Sequence, residues 1–140
     1  MIEVDTSLTG LRVTRVLEYL GKIHGLPKSI RVDNGPEFIS QVLDEWAHRR
    51  GVKLDFIRPG KPTDNPYIES FHDKFRDECL NENYFLDLKE AREVIENWRI
   101  EYNTVRPHES LDQLTPEEFM AEYHRQNNNQ KPLEFTLTVV

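Results

Sequence analysis

The sequence predicts an α/β fold, and three observations carry that expectation. Apolar residues recur at helical spacing over residues 8–24 and 37–50, a short strand-like run follows each stretch, and glycine or proline marks the junctions. Strand, helix and strand in that order imply neighbouring parallel strands covered by helices, because parallel strands need a crossover connection.

Each element has a local reason. Over residues 8–24, Leu11, Val13, Val16, Leu17 and Leu20 form an apolar stripe, Ser7 and Thr9 are available as caps, and Gly25 followed by Pro27 supplies the stop. Ser29-Ile30-Arg31-Val32 is a β-branched run that breaks at Asp33-Asn34-Gly35-Pro36, four residues that favour turns. Residues 37–50 return to helical spacing through Phe38, Val42, Leu43, Trp46 and Ala47, and Gly51 closes them before the alternating strand 52–57. Residues 59–66 are dense in proline and glycine and predict an exposed loop, with Asn65 as cap and Pro66 as first residue of the next helix. That helix sets Ile68, Phe71 and Phe75 on one side, and Glu69, His72, Asp73 and Arg76 on the other.

Asp87-Leu88-Lys89-Glu90 and Thr115-Pro116-Glu117-Glu118 read as capping boxes opening two further helices. Trp98 and Tyr102 belong to the apolar stripe of the first, and His108 to the turn that ends it. Residues 126–130 form a polar low-complexity linker, and residues 133–139 alternate like a strand. The expected organisation is one domain over residues 1–125, followed by a linker and strand-like tail over 126–140.

Composition narrows the function classes. With 37% hydrophobic and 31% charged residues the chain has the apolar surface that disordered sequences lack. No apolar stretch is long enough to span a membrane and no charged-then-apolar leader follows Met1, so a cytoplasmic location is expected. The single cysteine, Cys79, excludes an intramolecular disulfide and a thiolate zinc site, leaving oxygen ligands as the expected metal chemistry. The net charge of -7 is uneven: residues 1–61 carry ten basic against eight acidic side chains, and residues 62–140 eight against seventeen. Nucleic-acid binding rests largely on neutralising phosphates, so a DNA-binding role requires a locally positive surface somewhere on this acidic chain.

Asp33, where a strand enters a turn, and Glu69, at the start of a helix, are the residues on which chemistry would rest, with 35 residues between them. Magnesium takes oxygen ligands from one or two carboxylates, water and phosphate, so enzymes that cut phosphodiesters gather isolated acids from distant positions. Taken singly, Asp33 reads as a turn residue and Glu69 as a first-turn glutamate favoured by the helix dipole. His72, one helical turn beyond Glu69, is expected at the surface or near substrate rather than as a ligand of a hard cation.

The joint pattern goes further. Asp33-Asn34-Gly35-Pro36-Glu37-Phe38, then Tyr67-Ile68-Glu69-Ser70-Phe71, then Tyr102-Asn103 with Arg106-Pro107-His108 and Leu114-Thr115-Pro116, resembles the integrase core of DDE insertion-sequence transposases, relatives of the retroviral integrases. The resemblance implies an RNase H-like fold, here incomplete at its N-terminal strands, with helices following the second strand of the parallel pair. It implies that Asp33 and Glu69 are the second and third catalytic acids and metal ligands, holding Mg or Mn in what would be a two-metal site in the complete enzyme. Arg76, seven residues after Glu69, matches the basic residue that the family places near DNA, and Arg58 and Lys61 are further candidates for phosphate contact. Asp5 lacks the strand context of the first acid, so the chain alone is expected to bind metal weakly and to be inactive.

The leading reading is therefore a polynucleotidyl transferase domain acting on transposon ends and target DNA, without a covalent protein intermediate. A second is a non-catalytic assembly module derived from a transposase, forming homo-oligomers by strand exchange through the tail. A third is an unrelated metal-dependent nuclease or phosphatase.

Overall fold

The computed structural model of the chain describes residues 1–58, 66–126 and 136–139. The chain divides into two compact units: Asp5–Arg76 with the C-terminal strand, and Met1–Val4 with the helices from Asp77 onward.

In the first unit, α1 (Gly10–His24) is opened by Thr9, whose hydroxyl accepts the amide of Arg12, and is closed at Gly25, whose amide reaches the carbonyl of Gly21. β1 (Ser29–Val32) lies at the centre of a three-stranded parallel sheet of order β2-β1-β3. β2 (Lys53–Phe56) runs beside it from Ser29↔Lys53 to Val32↔Phe56, and β3 (Thr136–Val139) from Ser29↔Thr136 to Val32↔Val139. The tail therefore pairs with β1 over its last residues, whereas residues 133–135 of the expected strand and 127–130 of the expected linker lie outside the described residues.

α2 spans Gln41–Arg50, four residues shorter at its start than its apolar period predicts. The amides of Phe38 and Ile39 both close on the carbonyl of Gly35, which makes residues 35–39 a turn, and the Ser40 hydroxyl then caps the helix by accepting from Leu43 N at 3.3 Å. Phe38 is nonetheless buried, so it fills the apolar position that mimics a helix. Gly51 takes the left-handed conformation that ends α2, at φ 66°. Ile30, Val32 and Leu43 are fully buried and pack with Leu17, Phe38, Trp46, Ala47 and Val52 into one core between the sheet and the two helices. Gly10 lets α1 meet the Ser40 cap closely, since a Cβ there would lie 2.0 Å from the Ser40 hydroxyl oxygen. α3 (Pro66–Phe75) completes the unit, with the Phe71 and Phe75 rings stacked at 6.2 Å, and the chain continues through a wider π-turn at Arg76–Leu80.

In the second unit, α4 (Leu88–Thr104) begins at Asp87, whose carboxylate accepts from Glu90 N at 2.8 Å. The Glu90 side chain reaches back to Leu86 N rather than to the cap residue itself. α5 (Pro116–Gln126) has the full reciprocal box: Thr115 Oγ1 accepts from Glu118 N, and Glu118 accepts from Thr115 N. Cys79 is buried and free, packing as a small apolar residue. Tyr102 sits against Trp98 at 5.1 Å and edge-on to His108 at 4.6 Å, while the His108 and Leu114 backbones close the loop that follows α4.

Candidate active site

Parallel pairing determines where Asp33 emerges. It follows the last residue of β1, and Ile57 N donates to Val32 O, so the two strands stay paired up to the loop that carries it. Two further bonds hold that loop. Gly35 N donates to Asp33 Oδ1 at 2.8 Å, an Asx turn that fixes the carboxylate. Asn34 Nδ2 donates to Ile57 O at 3.0 Å, tying the loop to the end of β2. A Cβ on Gly35 would lie 2.9 Å from Asp33 Oδ1 and 2.8 Å from Glu37 Oε1, so a side chain there would displace the Asp33 carboxylate or the Glu37 side chain.

Glu69 lies in the first turn of α3, half-buried. Neither oxygen of Glu69 nor Oδ2 of Asp33 takes a hydrogen bond or ion pair among the described residues. Two carboxylates with uncommitted oxygens suit a hard divalent cation. Among the described residues no group of three acid, histidine or cysteine side chains is gathered closely enough to hold an ion. Asp5 is engaged elsewhere, with its Oδ1 on Thr6 N and its Oδ2 3.4 Å from Arg12 at the start of α1.

The residue that joins the two acids electrostatically is His72. Its pKa lies below the ordinary histidine value, chiefly through burial and then through Arg76, while Asp33, Asp73 and Glu69 act in the opposite direction. The sequence places His72 one turn beyond Glu69, but the influence of Asp33 comes from a position 39 residues away and has no local signal. Burial thus disfavours the charged imidazole, and both carboxylates lie within its electrostatic reach.

Arg76 is exposed and pairs with Asp73 at 3.5 Å, one turn back. Exposed i,i+3 pairs contribute little, so its guanidinium stays accessible to a phosphate. Arg58 is exposed just beyond β2. Lys61 lies outside the described residues.

The comparisons with known proteins point one way. The Integrase core domain family matches the chain twice, over residues 2–62 and 50–116. An uncharacterized 31.7 kDa protein of insertion element IS407 from Burkholderia multivorans is 52% identical over 122 residues, covering 87% of this chain and 44% of that protein. An uncharacterized 39.2 kDa protein of IS476 from Xanthomonas euvesicatoria is 46% identical over 128 residues, covering 91% and 37%. The transposase of IS904 from Lactococcus lactis is 31% identical over 105 residues, covering 74% and 42%. The chain thus spans less than half the length of these relatives. Among solved structures, the catalytic core domain of BIV integrase superposes with a TM-score of 0.66 at 17% identity, covering 91% of this chain and 80% of that one. The simian T-cell lymphotropic virus intasome superposes with a TM-score of 0.60 at 17% identity, covering 74% and 37%. These structural likenesses establish the RNase H-like fold. The two family matches, which together span residues 2–116, place this chain in the Integrase core domain family, alongside proteins of bacterial insertion elements.

Proposed function

We propose that this chain forms part of the catalytic centre of a DNA transposase, in which Asp33 and Glu69 hold divalent metal for phosphodiester cleavage and strand transfer. The observation that carries this reading is that a strand-end carboxylate and a helix carboxylate from distant positions share one imidazole neighbour and keep oxygens without protein partners. Magnesium or manganese, as a pair in the complete site, would stabilise the charge on the attacking and leaving oxygens of an in-line displacement.

The protein's own residues do the positioning. The Asx turn at Gly35 and the Asn34 link to Ile57 O hold the Asp33 carboxylate at the end of the paired strands. Burial of His72 disfavours its charged form, which limits the positive charge that would compete with a cation for the two acids. Arg76 offers a phosphate contact on the next turn of the chain, and Arg58 and Lys61 are proposed to serve on the loop side. Among the described residues no third carboxylate joins Asp33 and Glu69, and with two acids alone weak metal binding and no strand transfer are expected.

A manganese titration followed by residue-resolved NMR line broadening tests this. Broadening centred on Asp33, Glu69 and His72 is expected. Broadening centred on the acidic faces of α4 or α5 would overturn the assignment, as would none anywhere in the spectrum.

The assembly-module reading draws on the pairing of β3 with β1, because a strand placed at the edge of β1 can come from the same chain or from a second copy. Sedimentation at high concentration separates the two sources; a strictly monomeric species removes the exchange version.

A further inference from the structure

Acidic chains of this family reading need a positive surface, and one lies well away from the two acids. α1 and α2 pack side by side, and between their exposed edges is a cavity of about 440 Å³ lined by Thr14, Arg15, Glu18, Trp46, Arg49 and Arg50. Three guanidiniums from two helices converge there. One of them is compensated: Arg50 pairs with Glu18, whose other oxygen accepts the Trp46 indole N–H at 2.9 Å. Among the described residues the other two pair with no acid. Arg49 bonds only to the carbonyl of Glu45, and Arg15 forms neither ion pair nor hydrogen bond among the described residues.

The local balance is therefore two positive charges on a chain of net charge -7. Uncompensated like charges at one opening repel each other, and an anion bound between them relieves that repulsion. Trp46 and Thr14 are 6% and 7% exposed, so the charged groups at the opening are the three guanidiniums and the Glu18 carboxylate.

The place of the cavity in the fold is equally specific. Arg49 and Arg50 end α2, and Gly51 then feeds β2 at Lys53, which pairs with Ser29 at the start of β1. Asp33 leaves the far end of the same strand. A four-residue strand spans roughly 13 Å, so a duplex contacting the cavity would be gripped at a point distinct from the acid pair.

We infer that Arg15 and Arg49 form a second, sequence-independent docking site for the phosphodiester backbone of DNA, on the α1–α2 face. The inference rests on the reading of the chain as DNA-acting, but it makes a separate claim about where the backbone binds. Guanidiniums suit this ligand because they remain charged at all working pH values and donate in pairs to phosphate oxygens.

The test is binding of a fluorescent 30-base-pair duplex of arbitrary sequence to the full chain, in EDTA, as a function of salt. Without metal the acid pair contributes no affinity, so failure here leaves the manganese result untouched and the two readings fall separately. Each lost phosphate contact should lower the slope of log affinity against log salt by about 0.9. Arg15→Gln, at an exposed position with no hydrogen bond or ion pair among the described residues, should fold normally and lose one such unit; Arg15→Gln with Arg49→Gln should lose about 1.8, equally for a second duplex of unrelated sequence. Arg15→Lys with Arg49→Lys should keep the slope. Wild-type slope in Arg15→Gln overturns the inference, and so does absence of salt-dependent binding by the wild-type chain. A change in sedimenting mass without a change in DNA binding would assign the cavity to a protein interface instead, and also overturns it.

Discussion

Replacing Gly35 by alanine separates the placement of Asp33 from the stability of the fold. The added Cβ would lie 2.9 Å from Asp33 Oδ1, some 0.5 Å inside the 3.4 Å at which ordinary contact begins, and 2.8 Å from Glu37 Oε1. Glu37 can swing away as a flexible side chain, but Asp33 Oδ1 is held at 2.8 Å by the amide of residue 35 itself. Relieving the clash therefore means rotating the Asp33 carboxylate off that amide, at a cost of about 0.5–1.5 kcal/mol for the lost hydrogen bond. Metal sites tolerate ligand displacements of only about 0.2 Å, so a shift of this size should weaken manganese binding by roughly tenfold or more. Gly51→Ala is the contrasting variant. Its Cβ meets nothing within 4 Å, but its φ of +66° strains any L side chain, so it should lose about 1 kcal/mol of stability and leave manganese affinity unchanged. Manganese affinity from electron paramagnetic resonance, with urea unfolding on the same samples, reads both quantities. If Gly35→Ala binds manganese as tightly as the wild type, with broadening still centred on Asp33, the turn does not position the ligand and the reasoning fails.

Two further outcomes follow from the core and from its charged rim. Leu43 is completely buried among Leu17, Ile30 and Trp46, so Leu43→Ala should cost about 2–5 kcal/mol in urea unfolding, and a loss below about 1 kcal/mol would contradict the packing. Glu18 has its carboxyl held below the ordinary glutamate value, first by the Trp46 indole N–H, with Arg50 adding to it against an opposing effect of burial. A depressed folded-state acid contributes stability that is present above its unfolded-state value, near pH 4.3, and is lost as pH falls through the lower folded-state value. In a Trp98→Phe background, Trp46 emission should therefore hold constant down to about pH 4.3 and change only below it. A transition at or above that pH, or one unaltered by Glu18→Gln, would contradict the assignment.

Much of this fold is legible in the sequence because its signals are local. Thr9, Asp87 and Thr115 each cap a helix through an amide three residues on, and the resemblance to integrase cores rests on motifs whose order along the chain is itself the information. Even so, local signals mislead where a turn copies a helical period: Phe38 fits the apolar stripe of α2, but its amide closes on Gly35 and Ser40 starts the helix.

Tertiary structure alone decides what each charge meets. The Asn34 link to Ile57 crosses 23 positions, the setting of His72 draws on Asp33 from another element, and Arg50 rather than Arg15 or Arg49 finds Glu18, 32 positions away. Capping and periodicity are written within three or four residues, whereas the potential at a side chain sums over every charge that folding brings within about 10 Å. The sequence by itself determined the residue types able to hold a metal and the order in which they occur. Only folding decided which of them share a face, and which arginines were left without an acid.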